Sequence, residues 1–199
     1  MIELLSRAEI EKMRLAGRAA AEILDELGRL VAEGITTNEL NQAARKLMDA
    51  RDVSSSQFGY HGFPGHICTS VNEVVCHGIP DERILRNGDI INIDVTVACD
   101  GFHGDTSRTF AVGDIDEEAK SLIKSTQYAL QKGIAAVTPK AHVVDIGKAI
   151  LRVAKHAGFA VVAEYCGHGI GRQMHMPPQI PPRPAKQRGP KLRPGMAFT

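Results

Sequence analysis

The feature that most constrains the fold is a strand–turn–strand pattern between residues 89 and 112. Residues 89–97 read Asp-Ile-Ile-Asn-Ile-Asp-Val-Thr-Val, so apolar and polar side chains alternate with the two-residue period of a strand. Asp100-Gly101 follows, a dipeptide that favours a tight hairpin turn, and residues 102–112 supply a partner strand. The pattern predicts an antiparallel hairpin with one apolar face and one polar face. The apolar face comprises Ile91, Ile93, Val95 and Val97.

The polar face of this predicted hairpin carries two aspartates. With the turn at Asp100-Gly101, Asp94 lies opposite Ser107, and Asp105 is its diagonal neighbour on the same face. Such neighbours lie ~7–8 Å apart or less, near enough for both carboxylates to reach one metal pair. Aspartate is depleted in strands, and two like charges repel unless a cation lies between them. The face is therefore either a set of metal-binding or catalytic carboxylates or an ordinary solvated sheet face. Its other members are Asn92, Thr96 and His103.

A helix–helix–sheet pattern occurs twice along the chain. Capping boxes and helical spacing of apolar residues predict helices at about residues 6–31 and 36–48 before the hairpin. After the hairpin, similar signals predict helices at residues 114–133 and 143–156, followed by a strand at 159–165. The sequence thus predicts an α+β fold built from two similar units.

Two short motifs recur at a steady offset, which supports the repeat. Glu39-Leu40 corresponds to Asp145-Ile146, 106 positions later. Leu-Arg-Asn-Gly at residues 85–88 corresponds to Leu-Arg-Pro-Gly at 192–195, 107 positions later. The counterpart of Asp94 would then lie two positions beyond Thr199. The second hairpin is therefore expected to be missing, and the chain is expected to be truncated at its C-terminus.

Bulk properties exclude several functional classes. The chain has 199 residues, a net charge of +1 and 43% apolar residues, which suit one soluble domain without strong attraction to nucleic acid or membranes. Neither a signal peptide nor an apolar run long enough to span a bilayer is present, so we expect a cytoplasmic protein. The cysteines show no paired spacing and are expected to be free thiols. They are Cys68, Cys76, Cys99 and Cys166.

Three histidines are candidates for chemistry. His168 lies in Gly-His-Gly-Ile-Gly after a predicted strand, where glycines let the backbone approach a ligand closely. An imidazole beside carboxylates suits a transition metal, although a glycine-rich turn that happens to hold a histidine also fits. His77 and His175 could handle protons near neutral pH, or could be ordinary surface histidines. No serine or cysteine lies in a recognisable nucleophile elbow, so covalent hydrolase chemistry has little support.

Taken together, the hairpin, the histidine motifs and the segments next to them resemble type I methionine aminopeptidases, and the resemblance covers nearly the whole chain. The resemblance implies a pita-bread fold, in which two pseudo-symmetric α/β halves surround a central antiparallel sheet. Residues 1–199 would form a single catalytic domain with halves at 1–112 and 113–199, the second half being incomplete. The segments that carry the resemblance are residues 60–64, 72–80, 92–96, 104–107 and 167–171.

The resemblance also implies a metal-dependent aminopeptidase that removes the initiator methionine when the second residue is small. It implies two divalent metal ions, which could be cobalt, manganese, iron or zinc, activating a water molecule. Asp94, Asp105 and His168 match three of the five family ligands. The other two are glutamates in the family, expected beyond Thr199, so the 199-residue chain itself is predicted to be inactive or nearly so.

Further residues match the substrate site of the family. His77 matches a group that contacts the substrate near the scissile bond, and His175 matches one that stabilises the oxyanion. Tyr60, Phe63 and Cys68 match the pocket for the methionine side chain. The implied partners are nascent polypeptides, with the protein as a monomer.

The basic, proline-rich segment at residues 177–190 is open to two interpretations. It fits an ordered surface loop or linker, and it also fits an extended arm that faces the ribosome.

Three alternatives to this activity differ in what they require. A non-catalytic pita-bread binding protein would typically have lost metal ligands, whereas every ligand position within the chain is intact. Metallopeptidases for X-Pro bonds, and enzymes acting on creatine-like amidines, usually carry an additional N-terminal domain. Type II methionine aminopeptidases carry an inserted helical subdomain, for which residues 159–199 leave little room.

Overall fold

The computed structural model describes residues 2–184 and 187–199, which form two compact units of interleaved sequence. The first, here called the hairpin unit, contains Glu9–Asp116 and Arg172–Met174. The second, here called the terminal unit, contains the described parts of Met1–Ala8, Glu117–Gly171 and His175–Thr199. None of the helices in these residues combines the length and the apolar composition needed to cross a bilayer.

Two helices precede the sheet of the hairpin unit. Helix α1 (Arg7–Leu30) begins just before the boundary of the unit, and helix α2 (Thr37–Asp49) follows a short connection. The capping box predicted for α2 is present: the Thr36 hydroxyl accepts from the Glu39 amide at 3.0 Å, and the Glu39 carboxylate accepts from the Thr36 amide at 2.7 Å. The start of α2 is therefore fixed by local chemistry.

The sheet of the hairpin unit has strand β3 (Ile90–Cys99) at its centre. Strand β4 (Phe102–Ala111) pairs with it along one side, and the short strands β1 (Ser54–Ser55) and β2 (Cys68–Val71) pair along the other, all antiparallel. Asp100 and Gly101 both have positive φ, 54° and 79°, as the predicted tight turn requires.

The register predicted from the sequence is confirmed. Asp94 pairs with Ser107 and Thr96 pairs with Asp105, so the two aspartates are diagonal neighbours on one face. The aliphatic residues of β3 on the opposite face are fully buried against α1 and α2, and each of their side chains contributes about 1.5–3 kcal/mol on burial. This burial fixes the register, because a shift of one residue would turn the aspartates into the core.

The terminal unit contains helix α3 (Glu117–Ala135), helix α4 (Val143–His156), and a two-stranded antiparallel sheet of β5 (Gly167–Gly169) and β6 (Met176–Ile180). The bounds of α4 are those predicted from the sequence. The strand predicted at residues 159–165 is wrong: these residues form no strand, and Val162 and Tyr165 are about half exposed, at 46% and 50%. The described chain offers no strand to pair with this apolar segment, and a strand needs a neighbour for its backbone groups.

The basic, proline-rich segment also differs in part from its prediction. Residues 177–180 belong to β6, and the side chains of Pro178 and Ile180 are buried, so they are neither a surface loop nor an extended arm. Proline is tolerated there because β6 pairs only with β5 in this sheet, and edge strands can lack a donor. Residues 185 and 186 of the segment lie outside the described residues.

The internal repeat has a structural basis. The amide of Leu85 donates to the carbonyl of Ile35 at 2.8 Å, and the amide of Leu192 donates to that of Ala141 at 2.9 Å. In each copy the Leu-Arg-x-Gly turn ends on a glycine with positive φ, 95° in the first and 92° in the second. Each copy also has a carboxylate that accepts from the backbone amide three residues earlier. The recurring motifs therefore build the same junction between a helix start and a turn in both units.

The carboxylate of Asp89 should make the hairpin unit less stable at acidic pH. Its side chain is buried; it accepts from the Asn72 amide group at 2.8 Å and from the Arg86 backbone at 3.0 Å, and Arg83 lies at 3.7 Å. Burial alone would raise the pKa of Asp89, but these hydrogen bonds and the charges of Arg83 and Arg86 outweigh it and lower the pKa. The stabilisation is then complete above the unfolded pKa, about 4, and is lost as pH falls through the lower folded pKa.

Asp89→Asn should therefore lower the free energy of unfolding by about 1–2 kcal/mol at pH 7. The difference between the variant and the original chain should shrink below about pH 4, because Asp89 is then protonated in the unfolded chain and, at still lower pH, in the folded chain as well. Urea unfolding from pH 3 to pH 7 measures this difference. A difference that stays constant over the whole range would contradict the assigned role of the carboxylate.

Candidate metal centre

The polar face of the hairpin is partly buried: Asp94 and Asp105 are half-buried, and Ser107 is exposed. Asp94 has Ser107 beside it on β4 and Cys68 beside it on β2, and its Oδ1 atom is buried. Thr96, which pairs with Asp105, is only 2% exposed. A buried carboxylate oxygen next to a second carboxylate is unfavourable unless positive charge or donors compensate it. This geometry favours the metal-binding interpretation of the two aspartates over the solvated sheet face.

Cys68 is an uncharged neighbour of the aspartates. Burial, together with the nearby charges of Asp94, Cys76 and Asp105, raises the pKa of the Cys68 thiol to about 12. The thiol therefore stays protonated at physiological pH and is a poor nucleophile. This agrees with the sequence, which offers no covalent hydrolase motif, and leaves Cys68 as a small apolar side chain next to Asp94.

His77 lies in a loop whose backbone is fixed against β2. The carbonyl of the next residue, Gly78, accepts from the Thr69 amide at 2.9 Å, and the Gly78 amide donates to the Ser70 hydroxyl at 3.1 Å. A side chain at Gly78 would overlap the Thr69 carbonyl, so only glycine allows this approach. His77 itself has a positive φ of 55° and an exposed side chain. Such backbone strain in a non-glycine residue often marks a functional position.

Tyr60 and Phe63 are held in one tight turn of the hairpin unit. A 3₁₀ helix spans Tyr60–Gly62, the Phe63 amide donates to the Tyr60 carbonyl at 3.0 Å, and the Gly59 amide donates to the Phe63 carbonyl at 2.8 Å. Tyr60 is partly exposed and its ring meets that of His61 edge-on, with centroids 4.4 Å apart. The turn thus presents two aromatic rings from a short, internally bonded segment.

His168 and His175 meet in the terminal unit. Their ring centroids lie 4.3 Å apart with planes 69° apart. His168 Nδ1 lies 3.1 Å from the carbonyl oxygen of Gly169, which can only accept, so Nδ1 carries the proton. The lone pair is then on Nε2, the form in which an imidazole binds a metal ion.

The glycines around His168 have a structural reason. A side chain at Gly167 would overlap the backbone of Thr199, and one at Gly169 would overlap the carbonyl of Pro177. The Thr199 amide donates to the His168 carbonyl at 2.8 Å, so β5 has backbone neighbours on both sides. The glycines predicted to admit a ligand thus admit neighbouring backbone, which holds His168 in place.

The predicted site residues fall into two groups. Within each unit, as far as its residues are described, no three His, Cys, Asp or Glu side chains gather into a group that could hold a metal ion. The two aspartates nevertheless fit a divalent cation by the chemistry of their donors, since hard carboxylate oxygens on one rigid face suit such ions. The hairpin unit holds Tyr60, Phe63, Cys68, His77, Asp94 and Asp105, and the terminal unit holds His168 and His175.

No sequence pattern indicates how the segment between His168 and His175 is anchored. Arg172 belongs to the hairpin unit, where its guanidinium meets the Glu9 carboxylate at 2.7 Å and lies 4.8 Å from the centre of the Phe102 ring. Its backbone carbonyl accepts from the His103 ring, whose Nδ1 lies 2.8 Å from the Ser56 hydroxyl. Burial lowers the pKa of His103, and the hydrogen bond to Arg172 acts in the opposite direction. His103 precedes Asp105 by two positions, so the anchor and the aspartate share one strand.

Substitutions at Arg172 and Glu9 should distinguish the contribution of the ion pair to stability from that of the cation–π contact. Arg172→Leu removes both the ion pair and the cation–π contact and should lower the free energy of unfolding by about 1–2 kcal/mol. Glu9→Gln removes only the ion pair and should cost about half as much, since both charged groups are partly exposed. Urea unfolding of the two variants measures this. An equal or larger loss for Glu9→Gln would show that the contact with Phe102 contributes nothing.

Comparison with known proteins gives one consistent result. Residues 11–199 match the model of metallopeptidase family M24. Methionine aminopeptidase A of Synechocystis is 53% identical over 199 residues, covering 100% of this chain and 79% of the relative. The crystal structure of methionine aminopeptidase from Rickettsia prowazekii superposes with a TM-score of 0.97 at 45% identity, covering 100% of this chain and 80% of that one. The Thermotoga maritima enzyme superposes with a TM-score of 0.96 at 35% identity, again covering 100% and 80%.

Proposed function

Because the chain belongs to metallopeptidase family M24 and, within it, to the methionine aminopeptidases, we propose that Asp94 and Asp105 form the core of its metal site. The fold is the pita-bread fold of these enzymes. As a member of this family, the chain has the sequence of a metal-dependent aminopeptidase, an enzyme that acts on the N-terminal methionine of polypeptides. The observation that carries the proposed site is the diagonal pair of half-buried aspartates on the polar face of the hairpin.

We assign His168 to the same metal site as the two aspartates. Its proton on Nδ1 leaves Nε2 to act as a ligand, and a mixed carboxylate–imidazole set suits cobalt, manganese, iron or zinc. Two metal ions are proposed, as the sequence resemblance implies. When bound, they lower the pKa of water, polarise the peptide carbonyl and anchor the free amine of the substrate.

The remaining site residues are proposed to bind and orient the substrate. His175 donates a hydrogen bond to the oxygen of the peptide carbonyl as negative charge develops there, and its contact with the His168 ring fixes its orientation. His77 contacts the peptide near the scissile bond from its strained position against β2. Both roles need an N–H group aimed at the substrate rather than a covalent bond.

The methionine side chain is proposed to lie against Tyr60, Phe63 and Cys68. The two rings and the protonated thiol offer an apolar, polarisable surface, which suits an unbranched thioether. Charged or β-branched first residues would be excluded because they cannot be accommodated in such a slot.

We further propose that residues 1–199 belong to a single catalytic domain that acts as a monomer in the cytoplasm on nascent polypeptides. A substrate that emerges during synthesis makes the ribosome a natural place of action. Arg183, Arg188 and Lys191, which follow β6 and are exposed, would provide positive charge on the surface for it.

The test is release of free methionine from a Met-Ala-Ser peptide with manganese or cobalt added, and with a chelator as control. It is run on this chain and on a chain extended to the length of its relatives. We expect metal-dependent release by the extended chain and little or none by the 199-residue chain, because three ligands leave the metal pair under-coordinated.

Release by the 199-residue chain at the rate of the extended one would show that the ligand set is wrong. An absence of release by either chain, with metal bound, would favour a non-catalytic binding protein. Faster cleavage of X-Pro peptides than of Met-Ala-Ser would instead favour the related dipeptidases.

A further inference from the structure

A cleft of about 680 Å³ lies within the terminal unit, between α3 and α4. Its walls carry Lys124 and Lys132 from α3 and Arg152 and His156 from α4, and no carboxylate lines it. The volume is that of a pocket for a small organic molecule. None of these residues belongs to the candidate metal centre or to the substrate pocket.

The cations of the cleft differ from others on the same helices. Lys120 pairs with Glu117 at 2.8 Å on α3, and Lys148 pairs with Asp145 at 3.1 Å on α4. Across the described chain, by contrast, Lys124, Lys132 and Arg152 make no ion pair. Three permanent charges that share one concave surface without a counter-charge favour an anion with more than one negative charge.

The rest of the cleft is apolar, so a small hydrated ion fits it poorly. Small side chains form the floor, and Tyr128, a residue that is 50% exposed, stands among them. The Lys132 ammonium lies 4.9 Å from the centre of the Tyr128 ring, so this ring already carries a cationic partner. A planar apolar group can stack on Tyr128 while its charged end meets the basic walls. The floor residues are Ala135, Ala136, Ala149, Val153 and Ala157.

We propose that this cleft binds a nucleoside phosphate. The phosphates lie between Arg152, Lys132 and Lys124, and the base stacks on Tyr128 over the alanine floor. Arginine and lysine together match the charge and the geometry of phosphate oxygens. The ring of Tyr128 favours a ligand with a planar base over an aliphatic anion. The site is separate from peptide cleavage and does not depend on the proposed metal ligands.

The test is calorimetric titration of the 199-residue chain with ATP in the presence of EDTA, so that no metal bridges ligand and protein. We expect saturable binding of one ATP per chain. Arg152→Ala and Lys132→Ala should each weaken binding at least about tenfold, the loss expected for one charge-assisted contact to phosphate. Lys155→Ala, which removes an exposed lysine of the same helix outside the cleft, should change binding less than about twofold.

A second pair of measurements tests the base. Tyr128→Leu should weaken binding of ATP at least about fivefold and leave binding of inorganic tripolyphosphate unchanged, because only ATP has a base that can stack on the ring. Absence of saturable ATP binding, or equal losses from Lys155→Ala and Lys132→Ala, would overturn the proposal. So would tripolyphosphate binding as tightly as ATP, since the cleft would then recognise charge alone. None of these outcomes bears on methionine release, which is measured separately with metal present.

Discussion

Asparagine in place of Asp105 should weaken binding of cobalt to this chain at least about 100-fold and abolish methionine release by the extended chain. Loss of a group that merely orients a metal ligand typically weakens binding 10–100-fold, so loss of a ligand should reach or exceed the upper end of that range. The amide keeps the shape of the side chain but removes its negative charge. Visible absorption of cobalt and calorimetry measure the affinity.

The same substitution should leave the metal-free protein as stable as before, or slightly more stable. Asp94 and Asp105 share one face, and removing one charge relieves their repulsion when no cation is bound. Loss of metal affinity without loss of stability separates a ligand from a structural carboxylate. A variant that binds cobalt with unchanged affinity would remove Asp105 from the ligand set.

Asp100→Asn is the matched control for this experiment. It makes the same chemical change in the same hairpin, at an exposed turn residue whose positive φ asparagine readily adopts. Among the residues that the structure describes, Asp100 forms its one ion pair with the exposed Lys12, at 3.3 Å. Cobalt affinity should therefore stay within about twofold of its original value, and the free energy of unfolding should stay nearly unchanged.

Alanine in place of Gly104 should have the second large effect, this time on stability. Gly104 is buried on the apolar face of the hairpin, opposite Val97, where α1 packs directly on the backbone of β4. A side-chain carbon there would overlap the carbonyl group of Ala16 and lie 2.5 Å from the Gly17 nitrogen. The backbone of α1 cannot avoid this overlap by changing rotamer, as a side chain could. We expect the free energy of unfolding to fall by about 3 kcal/mol or more.

Gly17→Ala is the control for Gly104→Ala and should have the opposite sign. Gly17 lies on α1 next to Ala16, and a side-chain carbon there meets nothing within 4 Å. Alanine in the middle of a helix is more favourable than glycine by about 0.5–1 kcal/mol. Urea unfolding compares the two variants. Equal effects would mean that the close approach of α1 to β4 does not limit stability.

Local chemistry made the hairpin predictable from sequence. The turn needs two residues with positive φ, and Asp100-Gly101 supplies them, so the register of β3 and β4 follows together with the placement of Asp94 and Asp105. The capping box at Thr36 is equally local. In both places the interacting residues lie close in sequence, where pattern is informative.

Contacts between distant residues were beyond such reasoning. The strand predicted at residues 159–165 has the composition of a strand, but composition cannot show whether a partner is present. The anchor of Arg172 joins residues 163 positions apart, and no periodicity marks such a pair. Histidine chemistry made His77 a candidate but did not place it, and Cys68 entered the site only through a resemblance. The hydrogen bond from the Thr69 amide to the Gly78 carbonyl, which joins their two segments, leaves no trace in either sequence.

The interleaving of the two units sets an order for building the molecule during synthesis. Almost all of the hairpin unit is the continuous segment Glu9–Asp116, so its helices and sheet can form while the rest of the chain is still being made. The terminal unit cannot be completed until residues near Gly195 have been synthesised, because the Leu5 amide donates to the carbonyl of Gly195 at 2.7 Å. Residues around Leu5 can therefore reach their final place only after the residues around Gly195, 190 positions later, have been made, so a long loop of chain must close to complete this unit.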